Sequence, residues 1–358
     1  SVAGVYGLSF LIVLFQCMFL YSINFRKKSP FLTILIILLV LHAGGFLRVQ
    51  SSFPEQNQFT ASVIQGNVSS DIYWDTISPE YIEELFQRHL QLTRTASKDG
   101  SRLIIWPEFS IPLCFSCPYG IYQKFKDELS NLVQEENLTL LLGTNEKKED
   151  PEKTNYYNTA LCLKPDLSYS TYYKMHLVPF GEYTPYPEIL SFINKVTHAI
   201  GEITPGEIST LHYYQNMAFA SPICYEIIFP GLVRNFVRKD AQFITTITND
   251  GWYGTSSAPY QHFSIAVFRA VENKRYLLRA ATTGISGIID PFGRIIQKSS
   301  LNEQTHLTAS IIPIKEKTIY CRTGDILPLF SLTITAACFI LALRKKYNER
   351  KKIRRNIL

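Results

Sequence analysis

Apolar residues are unevenly distributed along the chain, and three long apolar runs lie near its two ends. The first two cover residues 2–23 and 30–47, and the third covers residues 325–343. The hydrocarbon core of a bilayer, about 30 Å thick, is spanned by roughly 17–25 helical residues. The length and composition of the runs therefore predict three transmembrane helices that flank a central domain.

The beginning of the chain predicts that further residues precede it. The first apolar run lacks the basic leading region that is typical of a cleaved signal peptide, and the chain begins with Ser1 rather than methionine. We therefore expect an N-terminal truncation that removes additional membrane helices.

Between the membrane runs, residues 58–320 alternate between apolar segments with the composition of strands and segments with helical spacing. The predicted strands are 59–65, 103–106, 138–143, 157–163, 217–223, 243–247, 278–289, 294–297 and 306–312. The predicted helices are 80–95, 122–134 and 259–276. This alternation implies an α/β fold with a sheet covered by helices. The turn signal Asp290–Gly293 implies a hairpin, so the sheet is not purely parallel.

The chain carries a net charge of +6, and the location of this charge argues against a nucleic-acid partner. Basic residues cluster beside the apolar runs, in the tail at 344–358 and in the turn Arg26-Lys27-Lys28. These clusters carry +7 and +3, so the rest of the chain carries −4. The positive-inside rule places both clusters in the cytoplasm. Residues 48–325 then lie on the outer side of the membrane.

The seven cysteines point neither to a disulfide scaffold nor to a metal centre. Cys114 and Cys117 form a C-x-x-C pair, which can oxidise outside the membrane. A zinc site would need a second pair or histidines at ligand spacing, and the sequence offers none. It also has no P-loop and no G-x-G-x-x-G motif. We therefore expect neither a metal nor a cofactor.

Three reactive side chains lie next to predicted strands or turns. Cys224 follows an apolar strand, Glu108 follows another strand after a proline that ends strand pairing, and Lys174 precedes an apolar, turn-rich stretch. Strand ends line clefts in α/β folds. A thiol there acts as a nucleophile, a carboxylate as a general base and an ammonium as an oxyanion stabiliser. Taken singly, each residue also fits a structural role: a buried thiol, a rim ion pair or an exposed lysine.

Two neighbouring features belong to the same candidate site. His176 is an alternative base for a Cys–His pair. The segment Asn249–Gly254 follows a predicted strand, and its glycines predict a tight turn that either lines the pocket or lies on the surface. The sequence has no G-x-S-x-G elbow, which disfavours a serine hydrolase of the α/β type.

The residues around these side chains resemble a known family. Trp106-Pro-Glu108, Lys174 and Cys224-Tyr-Glu226 are similar, in residue type and chain order, to the Glu-Lys-Cys triad of the nitrilase (carbon–nitrogen hydrolase) superfamily. Longer motifs resemble the apolipoprotein N-acyltransferase family. These motifs are Ile64–Asn67, Trp74-Asp75, Ile104–Glu108, His176–Tyr183, Asn249–Trp252, Gln261–Phe263 and Leu277–Arg279.

The resemblance implies a nitrilase-like α-β-β-α sandwich at residues 58–320 and an acyltransferase activity. Cys224 would take a fatty acyl chain from a phospholipid as a thioester. It would pass the chain to the α-amino group of an N-terminal diacylglyceryl-cysteine on a lipoprotein. By this resemblance Glu108 is the general base and Lys174 stabilises the oxyanion, which leaves His176 a structural role.

The resemblance also assigns supporting residues. Glu182 would orient the triad, Tyr225 and Glu226 would shape the cleft, and Trp74 would lie on a mobile arm over the active site. The implied partners are a phospholipid donor, a lipoprotein acceptor and the membrane. The implied location is the bacterial cytoplasmic (inner) membrane, with several spans and the catalytic domain on the periplasmic side.

Two other functions fit the same residues. A membrane-anchored nitrilase-type amidase that hydrolyses a soluble amide would share the Glu-Lys-Cys triad. A non-catalytic, truncated membrane protein would keep the fold. The chain departs from the apolipoprotein N-acyltransferase pattern in having only two N-terminal apolar runs, where family members usually have several more.

Overall fold

The structure is a computed structural model that describes residues 1–51, 57–67, 78–110, 114–115, 117, 120–149, 154–186 and 203–357. The chain forms two compact units. One contains Ser1–Gly44 and Thr318–Leu358, and the other contains Gly45–Lys317.

The helices and strands of the described residues are numbered in chain order. The helices are α1 (Gly4–Asn24), α2 (Lys28–Val49), α3 (Pro79–Lys98), α4 (Gly120–Glu135), α5 (Pro230–Arg238), α6 (Ala258–Asn273), α7 (Ile319–Thr323) and α8 (Ile326–Ile357). The strands are β1 (Phe59–Gln65), β2 (Leu103–Ile105), β3 (Thr139–Glu149), β4 (Thr154–Leu163), β5 (Tyr169–Tyr173), β6 (His212–Tyr214), β7 (Met217–Ala220), β8 (Phe243–Thr248), β9 (Leu277–Ala281), β10 (Gly287–Ile289), β11 (Ile295–Lys298) and β12 (Thr305–Ile311).

Three helices are long and apolar enough to cross a membrane: α1, α2 and the part of α8 at Ile326–Glu349. Their large apolar side chains are exposed, as Leu39 and Leu329 illustrate. Helices of this length that are apolar all round are typical of membrane spans. The three apolar runs of the sequence are therefore helical, as predicted.

The unit Gly45–Lys317 contains two mixed six-stranded sheets. The first has the order β12-β1-β2-β3-β4-β5, and the second has the order β11-β10-β9-β8-β7-β6. In each sheet three central strands run parallel, β1 to β3 in the first and β7 to β9 in the second. The outer strands pair antiparallel. The prediction of a sheet that is not purely parallel is confirmed.

The two sheets pack face to face, with helices on their outer faces. Phe59 of β1 contacts Tyr214 and Phe243 of the second sheet, with ring centroids 5.0 and 5.2 Å apart. Helices α3 and α4 bury Phe86 and Phe125 against the first sheet. Helices α5 and α6 pack against strands of the second sheet. The architecture is an α-β-β-α sandwich, which confirms the predicted fold class.

Four predicted strands were wrong in extent. The strand predicted at 138–143 is Thr139–Glu149, and the strand predicted at 157–163 begins at Thr154. The strand predicted at 217–223 ends at Ala220, because Pro222 cannot donate a ladder hydrogen bond, and Cys224–Ile228 then forms a 3₁₀-helix. The strand predicted at 278–289 is two strands, β9 and β10, separated by the residues 282–286. The sequence pattern also did not predict β5, β6 or α5.

Candidate active site

The three candidate residues occupy the ends of strands in both sheets. Glu108 follows β2 and Lys174 directly follows β5, both in the first sheet. Cys224 follows β7 in the second sheet. All three side chains are buried, with residue exposures of 2%, 1% and 7% in that order. The structure therefore places side chains that are far apart in sequence at facing strand ends.

Glu108 and Lys174 form a buried ion pair. The Lys174 ammonium donates to Oε1 of Glu108 over 3.2 Å and to Oε1 of Glu182 over 2.8 Å. Burial lowers the pKa of Lys174, but the negative charges of Glu108 and Glu182 outweigh this and raise it above its usual range. The lysine therefore stays cationic between two carboxylates.

Asn158 is a site residue that the sequence did not reveal. Its side-chain amide nitrogen donates to Oε1 of Glu108 over 2.8 Å and to Oε1 of Glu182 over 2.9 Å. It lies in the middle of β4 and is fully buried. Its backbone carbonyl oxygen also accepts the backbone N–H of Lys174 over 2.9 Å. Asn158 thus fixes both carboxylates and the lysine from one strand.

Glu182 contacts Lys174 directly, and its expected role in orienting the triad stays a prediction. Its second oxygen accepts the backbone N–H of Val178 over 2.8 Å. This bond closes the turn-rich stretch that follows Lys174. The carboxylate therefore joins the local backbone to the ammonium.

Glu108 is also held through the second sheet and through a glycine. Its Oε2 accepts the backbone N–H of Asn249 over 2.7 Å, just after β8. Behind Glu108, a Cβ on Gly143 would lie 2.5 Å from the Cα of Glu108 and 2.5 Å from the carbonyl oxygen of Pro107. Only glycine allows β3 to approach the Glu108 backbone this closely.

Cys224 adopts a backbone conformation that is uncommon for a residue with a side chain. Its φ is +50°, in the left-handed region. Burial and the charge of Glu108 raise the pKa of the thiol, and Lys174 opposes them only in part. The thiol is therefore protonated at neutral pH, and a base must take its proton before the sulfur can attack.

Glu226 is expected to shape the cleft, and that role stays a prediction. It is fully buried. Its Oε1 accepts the Tyr172 hydroxyl over 2.8 Å and the backbone N–H groups of Met175 and His176 over 2.7 and 3.0 Å. Its Oε2 accepts the N–H of Ile223 over 2.8 Å. The carboxylate therefore ties the residues after Lys174 to the residue before Cys224, which is an internal anchoring role.

Tyr225 and His176 line a cavity of about 450 Å³ with mostly apolar walls. The other lining residues are Met175, Leu177, Pro179, Tyr183, Ile203, Pro205 and Phe229. The His176 ring lies against Phe229, with centroids 4.5 Å apart. The His176 side chain is exposed and lines this cavity. Among the described hydrogen bonds, none joins its ring to Glu108, Lys174 or Cys224. Tyr225 thus lines this cavity, and its expected role in shaping the active-site cleft stays a prediction.

A second buried cluster lies next to Cys224. Asp250 contacts His262 and Arg279, and His262 contacts the carbonyl oxygen of Cys224. The sequence placed these residues in motifs of the resemblance but gave them no role. Trp74, the remaining expected site residue, lies outside the described residues.

No group of three or more metal-binding side chains occurs among the residues that the structure describes. Cys114 and Cys117 form a disulfide, so the C-x-x-C pair is oxidised in this structure.

Comparison with known proteins relates the chain to one enzyme family. The family model described as carbon–nitrogen hydrolase matches residues 60–313. A protein of Geobacter metallireducens named apolipoprotein N-acyltransferase is 36% identical over 359 residues, which cover 97% of this chain and 67% of that protein. A protein of Rickettsia typhi with the same name is 35% identical over 338 residues, which cover 91% of this chain and 64% of that protein. The chain spans about two thirds of the length of these relatives.

Solved structures share the fold of the unit Gly45–Lys317. An amidase of the nitrilase superfamily from Nesterenkonia is 17% identical, has a TM-score of 0.53, and covers 79% of this chain and 100% of its own. A variant of that amidase carries a covalent acetamide adduct at its active-site cysteine. At this identity the likeness concerns the fold alone.

Proposed function

Because the chain belongs to the apolipoprotein N-acyltransferase family of carbon–nitrogen hydrolases, we propose that it acylates lipoproteins through a thioester on Cys224. The donor is a phospholipid. The acceptor is the N-terminal amine of a diacylglyceryl-cysteine. The observation that supports this most is the buried ion pair of Glu108 and Lys174, whose charges both act on the Cys224 thiol.

The first half of the reaction forms the acyl-enzyme. Glu108 takes the proton of the Cys224 thiol as the sulfur attacks the ester carbonyl carbon of the phospholipid. The bond between this carbon and the glycerol oxygen breaks. Glu108 then returns the proton to the leaving oxygen, which releases a lysophospholipid. The raised pKa of the buried thiol is the reason that a base is required.

The second half transfers the chain to the amine. The neutral amine of the lipoprotein attacks the thioester carbon and loses one proton to Glu108. The carbon–sulfur bond breaks, and the Cys224 sulfur recovers the proton from Glu108. The thiolate is a better leaving group than an alkoxide, so the thioester acylates an amine readily.

Lys174 stabilises the oxyanion in both halves. Its ammonium is fixed by Glu108 and Glu182 before the substrate arrives. A positioned cation in a buried site stabilises developing negative charge without a reorganisation cost. Glu182 and Asn158 act by holding this arrangement rather than by touching the acyl group.

The membrane-spanning helices anchor the protein in the bilayer that contains its substrates. Both the donor and the acceptor are lipids, so a protein anchored by α1, α2 and α8 meets them by diffusion within the bilayer. The basic segments at 26–28 and 344–358 belong on the cytoplasmic side. The catalytic unit therefore faces the periplasm of a bacterial inner membrane.

The test is an acyl-transfer assay with phospholipid radiolabelled in its acyl chain and a diacylglyceryl lipopeptide with a free N-terminal amine. We expect the unaltered protein in lipid–detergent micelles to label the lipopeptide and Cys224→Ala to label none. The matched control is Cys162→Ala, which removes another buried thiol from β4 and should keep the activity.

Two results would refute the proposal. Undiminished transfer by Cys224→Ala would exclude the thioester route. Release of labelled fatty acid with no labelled lipopeptide, at saturating acceptor, would show that water is the acceptor and favour a hydrolase of the amidase type.

A further inference from the structure

We propose that His262 is a positioning residue for Cys224. With Asp250 and Arg279 it forms a buried clamp that holds the backbone carbonyl of Cys224. The clamp also connects this carbonyl to the loop at Asn249, which bonds Glu108. The inference rests on the proposed function only in taking Cys224 as the nucleophile. It concerns how reactive the thiol is, whatever the substrate.

The backbone of Cys224 needs to be held. A φ of +50° is unfavourable for a residue with a Cβ, and such a conformation persists only where its surroundings enforce it. Glu226 holds the chain on the preceding side, through the N–H of Ile223. His262 holds the following side, because its Nε2 lies 3.1 Å from the carbonyl oxygen of Cys224.

His262 donates this bond because a carbonyl oxygen can only accept. The residue lies on α6 and is 6% exposed. Its Nδ1 lies 2.8 Å from Oδ1 of Asp250. Nδ1 also lies 3.2 Å from Nη2 of Arg279. Both ring nitrogens therefore have polar partners, and the ring is held at two points. A histidine held in this way cannot turn away from Cys224 without breaking a buried hydrogen bond.

Arg279 anchors the clamp from the second sheet. Its Nη2 donates to Oδ2 of Asp250 over 2.6 Å, and its Nε donates to the carbonyl of Ile285 over 3.1 Å. Burial raises the pKa of Asp250, but Arg279 and His262 outweigh this effect and hold it at about 2. Asp250 is therefore a carboxylate at any working pH. Gly284 leaves room for it, since a Cβ there would overlap the carboxylate.

The clamp also reaches the general base. Asn249 directly precedes Asp250, and the N–H of Asn249 donates to Oε2 of Glu108 over 2.7 Å. The side chain of Asn249 is held by the N–H of Gly251 and the hydroxyl of Thr282. One short loop thus connects the carbonyl of the nucleophile, through His262, to the carboxylate of the base.

Two substitutions at His262 separate its two bonds. The amide nitrogen of His262→Gln corresponds in position to Nε2 and can donate to the Cys224 carbonyl. The shorter side chain of His262→Asn corresponds to Nδ1, so it can bond Asp250 but cannot reach Cys224. The matched control is His212→Asn, at a fully buried histidine of β6 whose Nδ1 bonds Ser170.

The first readout is the rate of Cys224 alkylation by iodoacetamide, followed on the Cys224 peptide by mass spectrometry. The second is the rate of acyl-enzyme formation from labelled phospholipid, with KM measured separately. Both rates are expressed per folded molecule. A displaced nucleophile loses reactivity without losing affinity for lipid, so the readouts separate positioning from general damage.

We expect His262→Asn to lower both rates by about 10- to 100-fold with KM nearly unchanged. His262→Gln should retain a rate closer to that of the unaltered protein, and His212→Asn should stay within about twofold of it. If His262→Asn does not fold, Asp250→Asn replaces it, with the same expected direction because the anchoring charge is lost.

The clamp is refuted if His262→Asn matches His212→Asn in both rates, or if His262→Gln is as slow as His262→Asn. If the His262 variants alter alkylation as expected but the unaltered protein forms no acyl-enzyme with phospholipid, only the proposed function is refuted. The clamp would then stand for a cysteine enzyme with another substrate.

Discussion

Gly143→Ala tests whether the close approach of β3 determines the position of Glu108. The added Cβ would lie 2.5 Å from the Cα of Glu108, 2.5 Å from the carbonyl oxygen of Pro107 and 2.8 Å from the nitrogen of Phe109. All three atoms belong to the backbone, so no side chain can rotate to make room. The segment that carries Glu108 must move.

The size of the movement follows from these distances. Ordinary contact begins at 3.4 Å, so the Glu108 backbone must shift by about 0.9 Å. The shift also changes the 2.7 Å hydrogen bond from Asn249, which would lengthen to about 3.6 Å, beyond hydrogen-bond reach, where the full movement is directed along it. Misplacing a catalytic group by about 1 Å costs about 100-fold in rate. Overpacking of the core costs a further 1–3 kcal/mol of folding stability, approximately.

The assay is single-turnover formation of the acyl-enzyme from labelled phospholipid, with the thermal unfolding midpoint measured in parallel. The control is Gly231→Ala in α5, where an added Cβ meets nothing within 4 Å. We expect Gly143→Ala to lose about 100-fold in the rate per folded molecule and Gly231→Ala to lose nothing. A Gly143→Ala protein within about threefold of the unaltered rate would show that the close approach of β3 does not determine the position of Glu108.

Three further predictions concern the buried charges. Glu226→Gln puts an amide N–H₂ opposite backbone N–H donors, so it should destabilise the fold by about 1.5–3 kcal/mol in denaturant unfolding; an unchanged midpoint would contradict its anchoring role. Lys174→Met leaves Glu108 and Glu182 facing each other without a cation, so it should cost about 3–5 kcal/mol and abolish acylation; retained acylation would exclude the oxyanion role. Burial and Glu108 raise the pKa of the Cys224 thiol above its ordinary value of 9.0, so the native alkylation rate should still rise with pH above 9, whereas the denatured peptide should level off there. A native plateau below pH 9 would contradict the protonated thiol.

The hydrophobic pattern predicted most of the fold, because most helices and strands of the catalytic unit bury one face and the membrane helices are long apolar runs. The long apolar runs are typical of membrane helices. The strands β1, β2 and β8 are short runs that contain β-branched residues, which favour strands. The pattern did not predict strand β5, because Tyr169–Tyr173 is an edge strand of tyrosine, serine and threonine. Only one of its residues is fully buried, so it lacks an apolar face. The pattern also did not predict helix α5, although Pro230 at its first position is a helix-start signal.

Only part of the candidate site could be predicted, namely the residues that follow predicted strands. Cys224 and Glu108 follow strands that the pattern identifies, so their placement at strand ends was readable from the sequence. Asn158 lies within a strand, and only the pairing of β4 with its neighbours decides what its side chain faces. Glu226 is adjacent to Cys224 in sequence, but the 3₁₀-turn sends its carboxylate into the interior. Turn geometry of this kind is not encoded in an apolar pattern.

The proposed reaction requires Cys224 to carry the acyl chain from the phospholipid to the lipoprotein amine. The most direct measurement is peptide mass spectrometry of the protein after incubation with phospholipid alone, with and without hydroxylamine, which cleaves thioesters. We expect the mass of one acyl chain on the Cys224 peptide, absent after hydroxylamine and discharged when the lipopeptide amine is added. A Cys224 peptide that stays unmodified while the lipopeptide becomes acylated would contradict the account.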